Sequence, residues 1–174
     1  AFGMEEVRAY FVVIAVAIGI ITWNIGSMYS SFSEAFRNAS FQVGSIITTT
    51  GFSTTDFNLW PELSKYVLVL LMFIGACAGS TGGGIKVSRM LLLVKTIRKE
   101  LQSIAHPRSI KKIKMDGHPV EHEVMRSINV FFITYMVIFA VSVLIISFNE
   151  FSLETNFTAV AATLNNIGPG MDLV

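Results

Sequence analysis

Two segments of this chain combine glycine with threonine or asparagine, and these residue types suit the binding of a dehydrated cation. They are Thr48-Thr49-Thr50-Gly51-Phe52-Ser53 and Asn165-Asn166-Ile167-Gly168-Pro169-Gly170. In a selectivity filter, backbone carbonyls replace the hydration shell of the ion, and glycine permits the backbone angles that point carbonyls inward. Oxygen ligands also suit hard cations. The two segments therefore predict a filter for a monovalent cation.

The candidate filter residues all lie in these two loops: Thr48, Thr49, Thr50, Gly51, Phe52, Asn165, Asn166, Ile167, Gly168 and Pro169. Threonine hydroxyls can add oxygen ligands in the first loop. In the second loop the asparagines give polar support, and Pro169 stiffens the turn after Gly168. A helix cap followed by an outer turn is the alternative for either loop alone, but two such loops at matched positions favour the filter.

A third segment is rich in glycine and is expected to interrupt a helix inside the membrane. Its candidate gate residues are Gly79, Ser80, Thr81, Gly82, Gly83 and Gly84. Each glycine costs a helix about 1 kcal/mol relative to alanine. Unwound backbone at membrane depth is tolerated where it lines a cavity, so this segment should face the pore as a gate. The alternative is a kink with no moving role.

The elements that must position these segments belong to a membrane protein. Hydrophobic residues make up 52% of the chain and charged residues 14%, against about 25% charged in soluble domains. Two runs carry no charge, 25 residues from Ala9 to Ser33 and 23 residues from Ser127 to Asn149. Each is long enough to cross a bilayer as a helix. We expect the spans at about Tyr10 to Tyr29 and Ile128 to Phe148.

Short amphipathic stretches follow each span and lead into the two filter loops. They are Glu34 to Ile47 and Leu153 to Leu164. A helix of 14 residues rises only about 21 Å, which is too short to cross, so the chain should turn back at mid-depth. Between the loops, Tyr66 to Gly79 and Ile85 to Leu101 are expected to form the two halves of an interrupted helix.

The order of span, short helix and Gly-containing loop occurs twice. Gly51 and Gly168 are 117 residues apart, and the same shift places Ile14–Phe32 over Phe131–Asn149. Internal symmetry is common in membrane transport proteins. The predicted fold is an all-α membrane protein built from span–pore-helix–span repeats with re-entrant filter loops, like a potassium channel. One complete repeat is expected over 1–101, a cytoplasmic loop over 102–120, and the first part of the next repeat over 121–174.

Charge distribution predicts the orientation in the membrane. Nine of the 13 Lys and Arg residues lie between Lys86 and Lys114, and cytoplasmic loops carry an excess of these residues. We therefore expect 86–126 inside the cell and the filter loops opening to the outside. A nucleic-acid surface is the rival explanation of a basic run. Residues 86–126 contain no aromatic residue, so we expect membrane lipid and no nucleic acid as a partner.

Enzyme chemistry is not expected. The sequence around Gly79 to Ser88 resembles a phosphate loop, but that motif needs Gly-Lys-[Ser/Thr] in succession, and Ile85 and Val87 intervene. No nucleophile–base arrangement stands out, and no organic cofactor is expected.

These motifs in combination resemble the Trk/Ktr/HKT superfamily of cation transporters, and within it the bacterial Trk membrane subunits. They are Thr-Thr-Thr-Gly-Phe-Ser, Gly-Ser-Thr-Gly-Gly-Gly-Ile-Lys and Asn-Asn-Ile-Gly-Pro-Gly. The resemblance implies four repeats around one pore, with 1–101 similar to the third repeat and 121–174 to the first half of the fourth. This chain is therefore expected to be a piece of a longer protein.

The resemblance also implies potassium as the transported ion, with ligands at Thr49, Thr50, Asn166 and Ile167. It implies a homodimer, a cytosolic nucleotide-binding regulatory subunit, a bacterial inner-membrane location and a gating role for the break from Gly75 to Gly84. Two alternatives stay open at this point. One is a cation symporter coupled to Na⁺ or H⁺, and the other is a non-conducting membrane scaffold or receptor.

Overall fold

The computed structural model describes residues 3–106 and 112–171 and is mostly helical. Its six α-helices in these ranges are α1 Glu5–Ile25, α2 Phe32–Ile47, α3 Glu62–Ile74, α4 Val87–Ala105, α5 His122–Ile146 and α6 Leu153–Leu164. Short 3₁₀ turns occur at Gly26–Met28, Phe57–Leu59 and Ser147–Asn149. Two strands, β1 Lys114–Met115 and β2 His118–Pro119, form an antiparallel hairpin.

Two helices in the described ranges are long and apolar enough to cross a membrane. They run over Glu5–Met28 and His122–Asn149, with mean hydropathies of 2.0 and 2.6 in their most apolar windows. Only 22% and 11% of these windows is buried, whereas the core helix of a soluble protein would be mostly buried. Both coincide with the predicted spans but begin five to six residues earlier, at charged or polar residues.

The two short helices begin in the same way. Ser31 Oγ accepts a hydrogen bond from the Glu34 backbone N–H at 3.2 Å, and Ser152 Oγ accepts one from the Thr155 N–H at 3.1 Å. A serine in this position satisfies an N–H group that has no partner within the helix. With 16 and 12 residues, the two helices are about 24 and 18 Å long, so neither can cross a bilayer.

Helix α3 joins the two halves of the structure. Its residues Leu68 and Met72 are fully buried together with Val43 of α2. On its other side Phe73 contacts Phe139 of α5, with ring centroids 5.3 Å apart. Phe73 also contacts Phe157 of α6, at 6.1 Å. Edge-to-face aromatic pairs add about 0.5–1.5 kcal/mol beyond the burial of area, so this cluster fixes the second short helix against the first unit.

The predicted interruption of a helix is present, but it begins earlier than the sequence suggested. Helix α3 ends at Ile74 rather than Gly79, because Gly75 takes a left-handed φ of 68°. The chain then returns beside the end of α3, where the Ile85 and Lys86 N–H groups donate to the carbonyls of Phe73 and Ile74, both at 3.0 Å. Helix α4 begins at Val87.

The segment predicted as an irregular loop over 102–120 carries more structure than expected. Helix α4 continues to Ala105, and the small hairpin follows. Asp116 and Gly117 form its turn with φ values of 51° and 82°, and Asp-Gly is a strong signal for such a turn. The described part of the chain is mostly helical, as predicted, with this small hairpin as an addition; 107–111 lies outside the described residues.

Candidate functional site

The two Gly-containing loops leave their short helices with the same hydrogen bonds. Helix α2 ends at Ile47 and α6 at Leu164, and three backbone N–H groups after each end donate back into the helix. In the first unit the bonds are Thr48 N–H to Gly44 O at 3.1 Å, Thr49 N–H to Ile46 O at 3.0 Å and Thr50 N–H to Ser45 O at 2.9 Å. In the second they are Asn165 N–H to Ala161 O at 3.2 Å, Asn166 N–H to Thr163 O at 3.1 Å and Ile167 N–H to Ala162 O at 2.8 Å. Every donor and acceptor is displaced by 117 residues.

Left-handed backbone angles repeat with the same spacing. Thr49 and Asn166 have φ values of 56° and 54°, and Gly51 and Gly168 have 79° and 110°. A threonine rarely adopts such an angle, and strained backbone of this kind costs about 1–3 kcal/mol. Because two unrelated sequences adopt the same unusual geometry, the loop shape is a property of the repeated unit.

The two loops meet. A Cβ atom added to Gly51 would lie 2.0 Å from the carbonyl oxygen of Ile167 and 3.1 Å from Cδ of Pro169. The backbone at Gly51 is therefore in direct contact with the second loop. The candidate filter residues that are exposed in this chain are Thr48, Thr50, Phe52, Asn166 and Gly168, while Thr49, Gly51 and Pro169 are half-buried and Asn165 and Ile167 are buried.

In the first loop the threonine hydroxyls contact protein groups. Thr48 Oγ1 donates to Gly44 O at 2.6 Å and lies 2.7 Å from Thr50 Oγ1. Ser45 Oγ donates to Phe52 O at 2.5 Å, which fixes the far side of the loop. These hydroxyls hold the loop in shape. A hydroxyl that donates its hydrogen keeps lone pairs for a cation, so the ligand role of the threonines stays a prediction.

In the second loop Asn165 holds the structure through both ends of its amide. It is fully buried. Its Oδ1 accepts from the Tyr135 hydroxyl at 2.8 Å, and its Nδ2 donates to Ala161 O at 2.8 Å. The sequence had not singled out Tyr135. A lone tyrosine in an apolar span is the signal for it, because a buried hydroxyl needs a partner.

The glycine-rich segment between α3 and α4 lies against both loops. The Gly83 N–H donates to Thr49 Oγ1 at 3.2 Å, and a Cβ on Gly82 would lie 3.1 Å from the same oxygen. A Cβ on Gly83 would be 1.8 Å from Asn165 O. Gly84 packs closely on Gly75, since a Cβ added to Gly84 would lie 2.8 Å from the Cα of Gly75.

The first half of the segment is open. Gly79, Ser80 and Thr81 are exposed, and nothing in the described part of the chain lies within 4 Å of a Cβ added to Gly79. Of the predicted gate residues, Gly82 and Gly83 therefore approach the loops most closely.

Lys86, which the sequence analysis had not included, binds this segment. Its Nζ donates to Ser80 O and Ser80 Oγ, both at 3.0 Å, and to Gly82 O. The carbonyls of the segment can thus surround a monovalent cationic group. Its position two residues after the run of three glycines was the available signal.

Side-chain chelation of the usual kind is not available at the loops. Within 3–106 and 112–171 there is no group of three or more His, Cys, Asp or Glu that could hold a metal ion. The oxygens near the contact between the loops belong to the backbone, to threonine and to asparagine. Backbone carbonyls are the ligands that potassium filters use.

Comparisons with known proteins find a matching family model and similar sequences. The family model TrkH, described as "Cation transport protein", matches residues 9–172. The "Trk system potassium uptake protein TrkH" of Vibrio parahaemolyticus is 44% identical over 143 residues, covering 82% of this chain and 30% of that protein. The protein of the same name from Escherichia coli K12 is 39% identical over 155 residues, covering 89% and 32%.

A solved structure is also similar. The crystal structure of the potassium transporter TrkH from Vibrio parahaemolyticus superimposes with a TM-score of 0.92 at 38% identity. The match covers 99% of this chain and 37% of that one. The chain thus spans about a third of the length of the relatives it matches.

Proposed function

This chain belongs to the TrkH family of cation transport proteins, as its motifs indicated, and we propose that it forms part of a potassium-uptake pore in the cell membrane. The observation that carries the proposal is the contact between Gly51 and the Ile167 carbonyl. It joins two loops that leave their helices with matching hydrogen bonds, and relatives 44% and 39% identical to this chain are named potassium uptake proteins.

The filter is proposed to coordinate potassium mainly through backbone carbonyls. Support comes from Asn165, whose side-chain amide is buried and bonded at both ends. The proposed potassium ligands are Thr49, Thr50, Asn166 and Ile167. Left-handed angles at Thr49 and Asn166 would turn successive carbonyls in the directions that a ring of ligands requires.

The two short helices supply a second, weaker attraction. Both α2 and α6 end immediately before the loops, so each presents its C-terminal end there. The helix C-terminus carries about half a negative charge. In a site shielded from water, two such ends favour a cation over an anion, but they do not separate potassium from sodium.

The whole pore needs more chain than is described here. We propose that 1–101 corresponds to the third of four repeats and 121–174 to the first half of the fourth, with 102–120 as a cytoplasmic loop. The basic residues between Lys86 and Lys114 support placing 86–126 in the cytoplasm and the filter loops towards the outside. A homodimer and a cytosolic nucleotide-binding regulatory subunit are proposed partners of the complete protein.

The Gly79–Gly84 segment is proposed to gate the pore. Its contacts with Thr49 on one loop and Asn165 on the other support a position on the ion path next to the filter. Gly79, Ser80 and Thr81 are small and exposed, so this part of the segment can move at low cost. Movement of the segment away from the filter would let ions pass. Deleting Ser80–Gly83 is expected to raise flux without changing ion preference, and equal or lower flux would count against the gate.

The function is tested by reconstituting the full-length protein that carries these residues into proteoliposomes and measuring rubidium uptake under a potassium gradient. Uptake that needs no other ion supports the pore. Uptake that requires a Na⁺ or H⁺ gradient would replace it with a symporter. No uptake from correctly folded protein would contradict both and favour the scaffold.

A further inference from the structure

Glu6 is a buried acidic residue in the first turn of the first span. Only 6% of it is exposed, although acidic residues are rarely buried without a partner. Within the described ranges, no Lys, Arg or His nitrogen lies within 4.0 Å of its carboxylate, unlike the neighbouring Glu5, which pairs with Lys95. A buried carboxylate is costly unless hydrogen bonds replace its water, so the groups that bind Glu6 indicate its role.

One oxygen of Glu6 binds both ends of the glycine-rich segment. Oε1 accepts a hydrogen bond from the Ala78 N–H at 2.6 Å and another from the Ser88 N–H at 3.2 Å. Ala78 directly precedes Gly79, and Ser88 lies in the first turn of α4. The same carboxylate therefore binds the backbone just before and just after the candidate gate.

The bond to Ser88 also completes the start of α4. Lys86 is the N-cap residue of this helix, and its side chain does not cap it but reaches back to Ser80 and Gly82. The first N–H groups of a helix need acceptors from elsewhere, and a carboxylate is especially favourable there because of the helix dipole. Glu6 thus caps α4 from another helix.

We propose that Glu6 is a positioning residue that holds the glycine-rich segment in its closed position by fixing both of its ends to the first span. Lys86 fixes the middle of the same segment. When the Glu6 bonds are absent, the ends separate and the segment moves away from Thr49 and Asn165. The inference rests on the proposed function, because it assigns a control of flux to that pore.

The test compares Glu6→Ala and Glu6→Gln with Glu5→Ala in the full-length protein, using rubidium uptake at several concentrations. Two charge-assisted hydrogen bonds are lost in Glu6→Ala, and we expect the maximal uptake rate to rise at least about fivefold. KM and the preference for potassium over sodium should stay unchanged. Glu6→Gln keeps an oxygen acceptor, so a smaller rise is expected. Glu5→Ala removes a neighbouring carboxylate that contacts Lys95 instead, and should leave uptake unchanged.

A second comparison, in a deletion variant, shows whether Glu6 acts through the glycine-rich segment. In a protein lacking Ser80–Gly83, the Glu6→Ala change should have no further effect on uptake, whereas a purely structural role would lower uptake in both backgrounds. Uptake by Glu6→Ala equal to that of the wild type would overturn the inference. If the alanine variant does not fold, wild-type uptake by Glu6→Gln would overturn it. No uptake by the wild-type protein would instead contradict the proposed function.

Discussion

A single methyl group added at Gly51 is expected to damage the filter. In Gly51→Ala the new Cβ would lie 2.0 Å from the Ile167 carbonyl oxygen. Ordinary contacts begin at 3.4 Å, so the two loops must separate by about 1.4 Å. The left-handed φ of 79° adds about 1–3 kcal/mol of backbone strain for alanine.

Both effects act on the carbonyls that the proposed filter uses. An ion that has lost its water is bound only if the carbonyl oxygens replace its hydration shell, and a shift of about 1 Å breaks that match. We expect rubidium uptake by full-length Gly51→Ala protein to fall at least about tenfold, with a reduced preference for potassium over sodium.

Two alanine variants serve as comparisons for Gly51→Ala. Gly168→Ala has the strained angle without the clash, since no atom in the described ranges lies within 4 Å of its Cβ position, and should be milder. Gly19→Ala, in the middle of α1 with a similarly open position, should be neutral. Wild-type uptake and selectivity in Gly51→Ala, or a larger loss in Gly19→Ala, would refute the reasoning.

Three further changes probe the gate, the second loop and the core. Gly83→Ala places a Cβ 1.8 Å from Asn165 O, so the glycine-rich segment should press on the second filter loop and lower both rubidium uptake and the preference for potassium; wild-type uptake and preference would contradict this. Tyr135→Phe leaves the buried Asn165 Oδ1 without its donor and should cost about 1–3 kcal/mol, visible as a lower Tm in detergent. Phe73→Ala removes the ring that packs on Phe139 at 5.3 Å and should cost about 3–5 kcal/mol. An unchanged Tm in either of the last two would show that these contacts do not hold the second unit in place.

The sequence predicted those parts of the site that depend on neighbouring residues, namely the helix ends and the positions of the two loops. The ends of α2 and α6 at Ile47 and Leu164 were predicted because polar residues and glycine stop a helix. The matched geometry of the loops followed from the spacing of 117 residues between Gly51 and Gly168. Helix α3 ended earlier than expected because Gly75 is the first glycine of this stretch to take a positive φ, ahead of Gly79 and Gly84.

Contacts between distant residues could not be predicted in this way. Glu6 and Ala78 are 72 residues apart, and no local pattern connects them. The two acidic residues at the start of α1 were left out of the predicted span because charge usually marks a span's end. In the structure Glu5 pairs with Lys95 and Glu6 binds backbone N–H groups. Both carboxylates therefore have partners in other segments, and the helix can include them. The hairpin at Asp116-Gly117 had a local signal that was not used.

The most direct test is to locate rubidium by its anomalous scattering in crystals of the conducting full-length protein. We predict a rubidium site where the two loops meet, with the carbonyl oxygens of 48–52 and 165–169 as ligands. Density that lies elsewhere along the pore, with none beside the carbonyl oxygens of these two loops, would contradict the account.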